Sequence, residues 1–209
     1  MEPIVMELVV ATRNRHKFRE IASILRHPRL RLIPLNRFQN APDVEEKGRS
    51  FDANALLKAK ATASYTGRPS LADDSGLEVF VLGGRPGIRS ARFAGPKATD
   101  ASNNRKLLRL LKGVPPSRRS ARYRCSIALV FPFGKSFLFH GTLSGKIASS
   151  QKGAGGFGYD PLFWLPGYRR TVAQIPRLLK NRISHRARAL QKASTLLRKF
   201  LGGSNPPHL

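Results

Sequence analysis

The sequence has little cysteine, few carboxylates and no long hydrophobic run. Cys125 is the single cysteine among 209 residues, which excludes an intramolecular disulfide and predicts a reducing, cytoplasmic location and a buried thiol. The longest apolar runs, such as residues 127–131, fall far short of the roughly 20 residues that span a bilayer. The N-terminus lacks the basic region and the cleavage site of a signal peptide. The sequence therefore favours a compact, water-soluble chain.

Carboxylates are scarce beside 38 Lys and Arg, and the formal net charge is +26. Such a charge attracts polyanions, because neutralised phosphates release counterions, so weak nonspecific nucleic-acid binding is an expectation. An arginine-rich proteome is the alternative explanation of the charge. We favour that alternative, because the basic residues are spread along the chain instead of forming one block.

The few carboxylates are concentrated in one region. Of the 12 in the chain, seven lie between positions 43 and 78, and none follows position 160; the seven are Asp43, Glu45, Glu46, Asp52, Asp73, Asp74 and Glu78. A hard cation prefers oxygen ligands, so this region is a candidate for metal binding. Random clustering explains the composition equally well.

Strand and helix patterns alternate along the chain. Apolar spacing and turn residues predict strands over 7–11, 70–73, 77–82, 123–133 and 137–142, and helices over 17–26, 50–65, 99–111 and 184–201. The last two strands are predicted to form a hairpin. We find no internal repeat. The order of elements indicates an α/β fold on a mixed sheet, with two lobes and a cleft between them.

Three familiar site patterns are excluded. The glycines of residues 153–158 match a dinucleotide fingerprint in spacing, but Pro161 follows where a helix should begin. Residues 141–146 resemble a phosphate loop, but its glycines are too close together and Ile147 replaces the required hydroxyl. One cysteine and five scattered histidines give no zinc pattern.

Polar residues 12–17 follow the first predicted strand and begin a helix. Free N–H groups and the helix dipole favour a phosphate at such a junction, although a solvated loop explains the same residues.

Asp73 and Asp74 stand at the end of another predicted strand. Successive strand side chains point to opposite faces, so we expect one carboxylate to reach a cleft and the other to cap the turn. Glu45-Glu46 could supply a second carboxylate to the same ion, or form a solvated acidic turn.

The C-terminal third combines aromatics, glycines and basic residues. Phe157 and Tyr159 lie in a glycine-rich loop, and residues 184–186 begin a helix with a second possible anion site. An aromatic beside glycines can stack on a nucleobase, which stabilises binding by about 1–3 kcal/mol per base. Ordinary packing of the aromatics is the alternative.

Six segments, spread over nearly the whole chain, form one ordered set: Ala11-Thr12-Arg13-Asn14 with Lys17; Ser50-Phe51 with Asn54-Ala55 and Lys58-Ala59; residues 71–77, Leu-Ala-Asp-Asp-Ser-Gly-Leu; residues 90–95, Ser-Ala-Arg-Phe-Ala-Gly; residues 155–161, Gly-Gly-Phe-Gly-Tyr-Asp-Pro; and residues 183–186, Ile-Ser-His-Arg. In this order they resemble the Ham1-like family of inosine and xanthosine triphosphate pyrophosphatases.

The resemblance implies an activity and an architecture. The activity is hydrolysis of ITP, dITP and XTP between the α- and β-phosphates, with Mg²⁺, giving the nucleoside monophosphate and pyrophosphate and clearing these nucleotides from the pool. The architecture is an elongated mixed sheet flanked by helices, in one domain of two lobes over residues 1–209, with a disordered tail at 203–209. The family also implies a homodimer.

The resemblance assigns site residues as well. It implies that Asp74 is the catalytic carboxylate and a metal ligand, that Glu45 is a second metal ligand, and that Ser75 contacts substrate. The implied phosphate-side residues are Thr12, Arg13, Asn14, Arg15, His16 and Lys17. The implied pocket for a 6-oxo purine without a 2-amino group consists of Phe157, Gly158, Tyr159, Asp160, Lys180, His185 and Arg186.

The chain departs from the family at a few positions. Many relatives have glycine at the position of Arg13 or of His16. The larger side chain in this sequence adds bulk and charge near the phosphates. Most have glutamate where Leu179 precedes Lys180, a change that we expect to alter surface charge more than catalysis.

Two alternatives to this activity remain open. One is a nucleic-acid-binding protein that uses a helix over residues 169–199, which carry ten cations and no carboxylate but few aromatics for reading bases. The other is a pyrophosphatase of modified pyrimidine nucleotides, as in the similar Maf group. The Phe157 loop and residues 184–186 favour purines.

Overall fold

A computed structural model describes residues 5–132 and 134–202; the tail predicted at 203–209 lies outside these ranges. The strands are β1 (Met6–Val10), β2 (Leu30–Pro34), β3 (Ser70–Val79), β4 (Ser120–Val130), β5 (Ser136–Ile147), β6 (Phe163–Leu165) and β7 (Arg170–Thr171). The helices are α1 (Arg15–Ile24), α2 (Phe51–Thr66), α3 (Asp100–Leu110), α4 (Arg177–Ile183) and α5 (His185–Gly202).

The strands form a seven-stranded mixed sheet in the order β2-β1-β3-β4-β5-β6-β7. β1 runs parallel to both β2 and β3, whereas β6 runs antiparallel to β5 and β7. Parallel neighbours need long crossover connections, and α1 and α2 lie in the connections between β1, β2 and β3. The predicted α/β fold on a mixed sheet is confirmed.

Local signals explain where the helices begin and end. Ser50 accepts a hydrogen bond from the N–H of Ala53 (3.1 Å) at the start of α2, and Gly67, with a φ of 62°, ends that helix in the left-handed conformation. Thr99 accepts from the N–H of Ser102 (3.2 Å) at the start of α3. The four predicted helices are confirmed with boundaries shifted by one or two residues.

Two predictions of secondary structure are wrong. Residues 70–73 and 77–82 were predicted as separate strands, but β3 continues through Asp73-Asp74-Ser75-Gly76 as one ten-residue strand. The polar residues do not break the strand, because cations neutralise both carboxylates within the fold. The basic segment 169–199 is not one helix: it contains β7, a 3-10 turn, α4 and most of α5.

The chain divides into two compact units. The first extends to Asp74 and includes Cys125–Gly141 and the chain from Arg186 onward, and its core includes fully buried Leu8, Ile127 and Leu190. The second consists of Ser75–Arg124 and Thr142–His185. Its core includes buried leucines on β3 and α3 and the stacked rings of Tyr123 and Phe163. Among the described residues, no helix has the length and apolarity needed to cross a membrane.

Candidate functional site

Asp74 lies in the first unit, in the middle of β3, where Lys58 of α2 contacts it. The Lys58 ammonium donates to Oδ1 of Asp74 (2.8 Å), to Oε1 of Glu46 (2.7 Å) and to the backbone carbonyl of Asp73 (2.9 Å). All three of its hydrogens are therefore used, and two carboxylates share one cation. Asn54, one helical turn before Lys58, donates to Oδ2 of Asp74 (3.3 Å).

Asn54 also anchors the acidic loop beside Asp74. Its Oδ1 accepts a hydrogen bond from the N–H of Gly48 (2.8 Å). A Cβ at position 48 would lie within 2.5 Å of that oxygen, so only glycine allows this approach. The contact holds the segment that carries Glu46 close to α2.

The electrostatics of this group make Asp74 a candidate proton acceptor. Burial raises the pKa of Asp74 above its usual value; Lys58 and Lys17 oppose the rise, and Glu46 adds to it. For Lys58, burial disfavours the charge, but the carboxylates of Asp74 and Glu46 outweigh it and raise the pKa above its usual value. A carboxylate with a raised pKa is a better base, so Asp74 has the character needed to activate a water molecule.

Asp73 points to different partners in the same unit. Its two oxygens accept from Nε and Nη2 of Arg186 (2.9 and 3.3 Å), and the Lys17 ammonium lies 2.5 Å from Oδ1. Burial opposes ionisation, yet Arg186 and then Lys17 hold the pKa of Asp73 well below its usual range. Arg186 also donates to Oε2 of Glu20 (2.5 Å). The expectation that Asp73 caps a turn is wrong, since it is a buried ion-pair partner within a strand.

Cys125 lies against this buried group. Its thiol donates to Oδ2 of Asp73 (3.0 Å), and the residue is fully buried. Burial and the charge of Asp73 raise the pKa of Cys125 well above its usual value. The prediction of a buried thiol is confirmed.

Residues 12–17 form the junction between β1 and α1. The side chain of Asn14 caps the helix, because its Oδ1 accepts from the N–H groups of His16 (2.9 Å) and Lys17 (3.1 Å). Thr12 accepts from the N–H of Asn14 (3.2 Å). These two helix N–H groups are therefore occupied by the chain itself. The expectation that free helix N–H groups at this junction face a phosphate is therefore not met by His16 and Lys17.

The remaining residues predicted in this segment are exposed. Arg13 donates to the carbonyl of Ala41 (3.0 Å) and lies 3.6 Å from Asp43, while Arg15 and His16 are on the surface.

Glu45 is also exposed and pairs with Lys47 (2.9 Å). The structure thus places Glu46, and not Glu45, beside Lys58 and Asp74. Ser75 follows Asp74 in β3 and is half-buried.

The second unit gathers most of the residues predicted to form the purine pocket. Asp160 is their centre: its Oδ2 accepts from the Lys180 ammonium (2.5 Å) and from the N–H of Phe157 (2.9 Å), and its Oδ1 accepts from Tyr123 (3.2 Å). The ammonium of Lys180 also lies 4.6 Å from the centre of the Phe157 ring. A buried carboxylate therefore fixes both the cation and the aromatic ring.

Two further rings are held in place nearby in this unit. Tyr123 stacks on the His185 ring with centroids 4.6 Å apart, and the Tyr159 hydroxyl donates to the carbonyl of Ser90 (2.8 Å). Burial, followed by the charge of Asp100, raises the pKa of Tyr159, so that its hydroxyl stays protonated. The glycine-rich segment 153–158 is a loop that opens no helix, which agrees with the exclusion of a dinucleotide fingerprint.

Several contacting residues were not assigned to the site from the sequence. Lys58 stands only in one of the segments that carry the family resemblance, with no role assigned to it, and Glu20 and Tyr123 are not singled out. The i, i+4 spacing of Asn54 and Lys58 was the available signal. In the part of the chain that the structure describes, no cluster of three or more His, Cys, Asp or Glu forms a ready metal centre.

Comparisons with known proteins agree with this geometry. The profile of the Ham1 family matches residues 8–196. The dITP/XTP pyrophosphatase of Geobacter sulfurreducens is 51% identical over 195 residues, which cover 93% of this chain and 96% of that protein. The dITP/XTP pyrophosphatase of Desulforamulus reducens is 47% identical, with coverage of 93% and 97%. The solved structure of a HAM1 protein from Coxiella burnetii matches with a TM-score of 0.86 and 42% identity, covering 93% of this chain and all of that one.

Proposed function

This chain belongs to the Ham1 family, and from that membership we infer that it hydrolyses non-standard purine nucleoside triphosphates, namely ITP, dITP and XTP. The observation that carries the proposal is the buried Asp74 carboxylate, held by the Lys58 ammonium beside Glu46. Such a group combines a base for activating water with cations for a polyphosphate.

We propose cleavage between the α- and β-phosphates, which yields the nucleoside monophosphate and pyrophosphate. Asp74 orients and deprotonates the attacking water, and its raised pKa suits that task. Lys58 and Lys17 supply positive charge against the phosphates, while Thr12, Arg13 and the remaining residues of the 12–17 junction bind the same end of the substrate. Ser75, next to the general base Asp74, adds a hydroxyl contact to the substrate.

The residues at this site fit Mg²⁺. Asp74 supplies hard carboxylate oxygens, and the loop that Glu46 holds beside it through Lys58 also carries Glu45, so a second carboxylate is available in the same loop. We propose that Asp74 and Glu45 hold the ion. Glu45 is tied only to exposed Lys47, an ion pair weak enough to be exchanged for a metal contact. When bound, Mg²⁺ would withdraw charge from the phosphates.

We propose that the second unit recognises the base. Phe157 offers an aromatic face for stacking, and Lys180 is a hydrogen-bond donor fixed by Asp160. A donor favours the carbonyl oxygen at position 6 of hypoxanthine and xanthine over the amino group of adenine, because two donors cannot share a hydrogen bond. Gly158, Tyr159 and His185 complete the purine residues of this unit. Arg186, which the resemblance assigns with them, lies in the first unit, where it binds Asp73 and Glu20.

The test is pyrophosphate release from a panel of ITP, dITP, XTP, ATP and dGTP, with Mg²⁺ and with a chelator. We expect rapid release from the first three nucleotides in the presence of Mg²⁺. Release from ATP should be far slower because of the Lys180 donor, and release from dGTP should be far slower because the family resemblance implies a pocket for a purine without a 2-amino group. Release of orthophosphate instead of pyrophosphate would contradict the bond assignment. Equal rates for ITP and ATP would contradict the assigned base preference.

We also propose a homodimer, which the family resemblance supports; light scattering on the purified chain tests it. The cytoplasmic location predicted from the lone Cys125 stays a prediction.

Weak binding of nucleic acid is the second candidate property. It is supported by α5, an 18-residue helix without a carboxylate, on which Arg188, Lys192, Arg198 and Lys199 are exposed. Cations spread along a helix suit the repeated phosphates of a polymer better than a single small anion. The salt dependence of binding tests this property.

A further inference from the structure

The backbone N–H and the backbone carbonyl of Gly158 are both hydrogen-bonded to side chains of α3. Oδ2 of Asp100 accepts a hydrogen bond from the N–H of Gly158 (2.6 Å), and Nδ2 of Asn104 donates to the carbonyl of the same residue (3.0 Å). Asp100 and Asn104 are four residues apart, so one turn of the helix presents both groups on the same face. All of these residues belong to the second unit.

The clamp acts on the segment that carries the aromatic ring. Gly158 has a φ of 63°, a left-handed conformation that suits glycine, and it directly follows Phe157. The N–H of Phe157 is itself bound by Asp160. Asp160 therefore fixes the backbone of Phe157, and α3 fixes the backbone of Gly158. Together these contacts restrict the directions in which the Phe157 ring can point.

Asn104 is placed for this contact at a cost to stability. Its side chain is buried, and the carbonyl of Gly158 dictates that Nδ2, and not Oδ1, faces the loop. Oδ1 is buried and accepts no hydrogen bond among the described residues. A buried acceptor without a partner destabilises the folded state, so core packing alone does not account for an asparagine here.

We propose that Asn104 and Asp100 are positioning residues that hold the loop of Phe157 in the conformation that discriminates among nucleobases. The inference rests on the proposed function, because it deepens the role of the same pocket. Neither residue needs to touch the substrate. Their contribution is pre-organisation: a ring already held in place loses less entropy when a base stacks on it.

The adjacent Asn103 provides a matched control. It is also buried in α3, but its Oδ1 accepts from the N–H of Ala94 (2.8 Å) and its Nδ2 donates to the carbonyl of Ala91 (3.0 Å). Asn103→Ala therefore removes a buried amide of equal size from the same helix without touching Gly158. Nδ2 of Asn104 also lies 3.5 Å from Oε1 of Gln151, so the comparison is made at Gly158 itself. An effect common to both substitutions reports general stability, and a difference in exchange at Gly158 reports the clamp.

The experiment combines amide hydrogen exchange at Gly158 with steady-state kinetics. For Asn104→Ala and Asp100→Ala we expect exchange at Gly158 to rise about tenfold, as the loss of one net hydrogen bond implies. We expect KM for ITP to rise by a similar factor and the preference for ITP over ATP to fall, with kcat little changed. Asp100→Asn keeps an acceptor oxygen and should retain most of the protection and preference.

The outcomes separate this inference from the proposed function. Asn103→Ala should lower the melting temperature while leaving exchange at Gly158 and the nucleotide preference unchanged. Unaltered exchange and unaltered preference in both Asn104→Ala and Asp100→Ala would overturn the clamp. A wild-type chain that shows no preference among nucleotides would instead overturn the proposed function, and exchange at Gly158 would still test the clamp. If Asn104→Ala fails to fold, the pair of Asp100 variants decides the matter.

Discussion

Asp73 and Asp74 are adjacent in β3, but their carboxylates contact different cations: Arg186 binds Asp73, and Lys58 binds Asp74. Neighbouring side chains of a strand point to opposite faces, so adjacent carboxylates enter separate environments. One environment drives the pKa of Asp73 well below its usual range, while burial raises the pKa of Asp74. We therefore propose different tasks for the two residues, stability for Asp73 and chemistry for Asp74.

Asp74→Asn should abolish turnover in a chain that still folds, because the Lys58 ammonium keeps Glu46 as its carboxylate partner. The amide keeps the shape of the carboxylate but cannot accept a proton from water. Loss of a general base lowers rates by about 10²- to 10⁴-fold, and the loss of a metal ligand adds to this. Pyrophosphate release at saturating Mg²⁺, measured together with the melting temperature, checks the prediction. Near-normal turnover by a folded variant would remove Asp74 from the mechanism.

Asp73→Asn is the matched control: it should lower stability more, and turnover less, than Asp74→Asn does. It leaves the buried guanidinium of Arg186 with one carboxylate, Glu20, in place of two. Removal of one member of a buried ion pair typically costs about 3–5 kcal/mol, and the remaining Glu20 places our expectation near the lower end. Urea unfolding should show this loss, while turnover of the folded fraction falls less than in Asp74→Asn.

The stability conferred by Asp73 should depend on pH. Because the folded-state pKa of Asp73 is lowered, its contribution is complete above the pKa of the unfolded chain, about 4, and is lost as the pH falls through the lower folded value. The difference in unfolding free energy between wild type and Asp73→Asn should shrink steadily below about pH 4. Denaturant titrations from neutral to acidic pH, in chelator, measure it. A difference that stays constant over this range would contradict the ion-pair explanation.

Elements with strong local signals could be predicted from the sequence. The cap residues Ser50 and Thr99, followed by helical periodicity, gave α2 and α3 nearly to the residue. The strands β6 and β7 were missed because they have only three and two residues, and β2, which has five residues like the predicted β1, was missed as well. Such short segments form only because a neighbouring strand supplies the hydrogen bonds, and no local pattern records that neighbour.

The candidate site was predicted in its residue types but not in its pairings. The pattern of residues 71–77 identified the two aspartates, and strand geometry correctly predicted that they diverge. The partner of each could not be read from the sequence, because Arg186 lies 113 residues from Asp73. Lys58 could be recognised only as part of the segment around Asn54 that carries the family resemblance. Contacts so distant in sequence depend on the tertiary fold, not on local periodicity.

Glu45→Gln and Glu46→Gln should have different effects on the metal requirement. Glu45 is exposed and can exchange Lys47 for a metal ion, so its substitution should raise the Mg²⁺ concentration needed for half-maximal activity. Glu46 is already neutralised by Lys58. Its loss should leave the Mg²⁺ requirement nearer to that of the wild type. Activity titrated with Mg²⁺ at saturating ITP compares the two variants, and the reverse order would make Glu46 the metal ligand.

Nucleic-acid binding by this chain should be weak, independent of sequence and strongly dependent on salt. Even two phosphate contacts on duplex DNA imply that affinity falls about tenfold between 50 and 200 mM salt. The double variant Arg198→Gln/Lys199→Gln removes two exposed cations from α5, and Arg105→Gln/Arg109→Gln removes two from the exposed face of α3. If the attraction comes from charge spread over the surface, both variants should reduce the slope of log affinity against log salt concentration to a similar degree. The expected reduction is about one unit for each phosphate that is no longer neutralised. Fluorescence anisotropy with duplexes of unrelated sequence measures this. Binding that is insensitive to salt, or that depends on the sequence of the duplex, would show that these cations are not acting as a diffuse electrostatic surface.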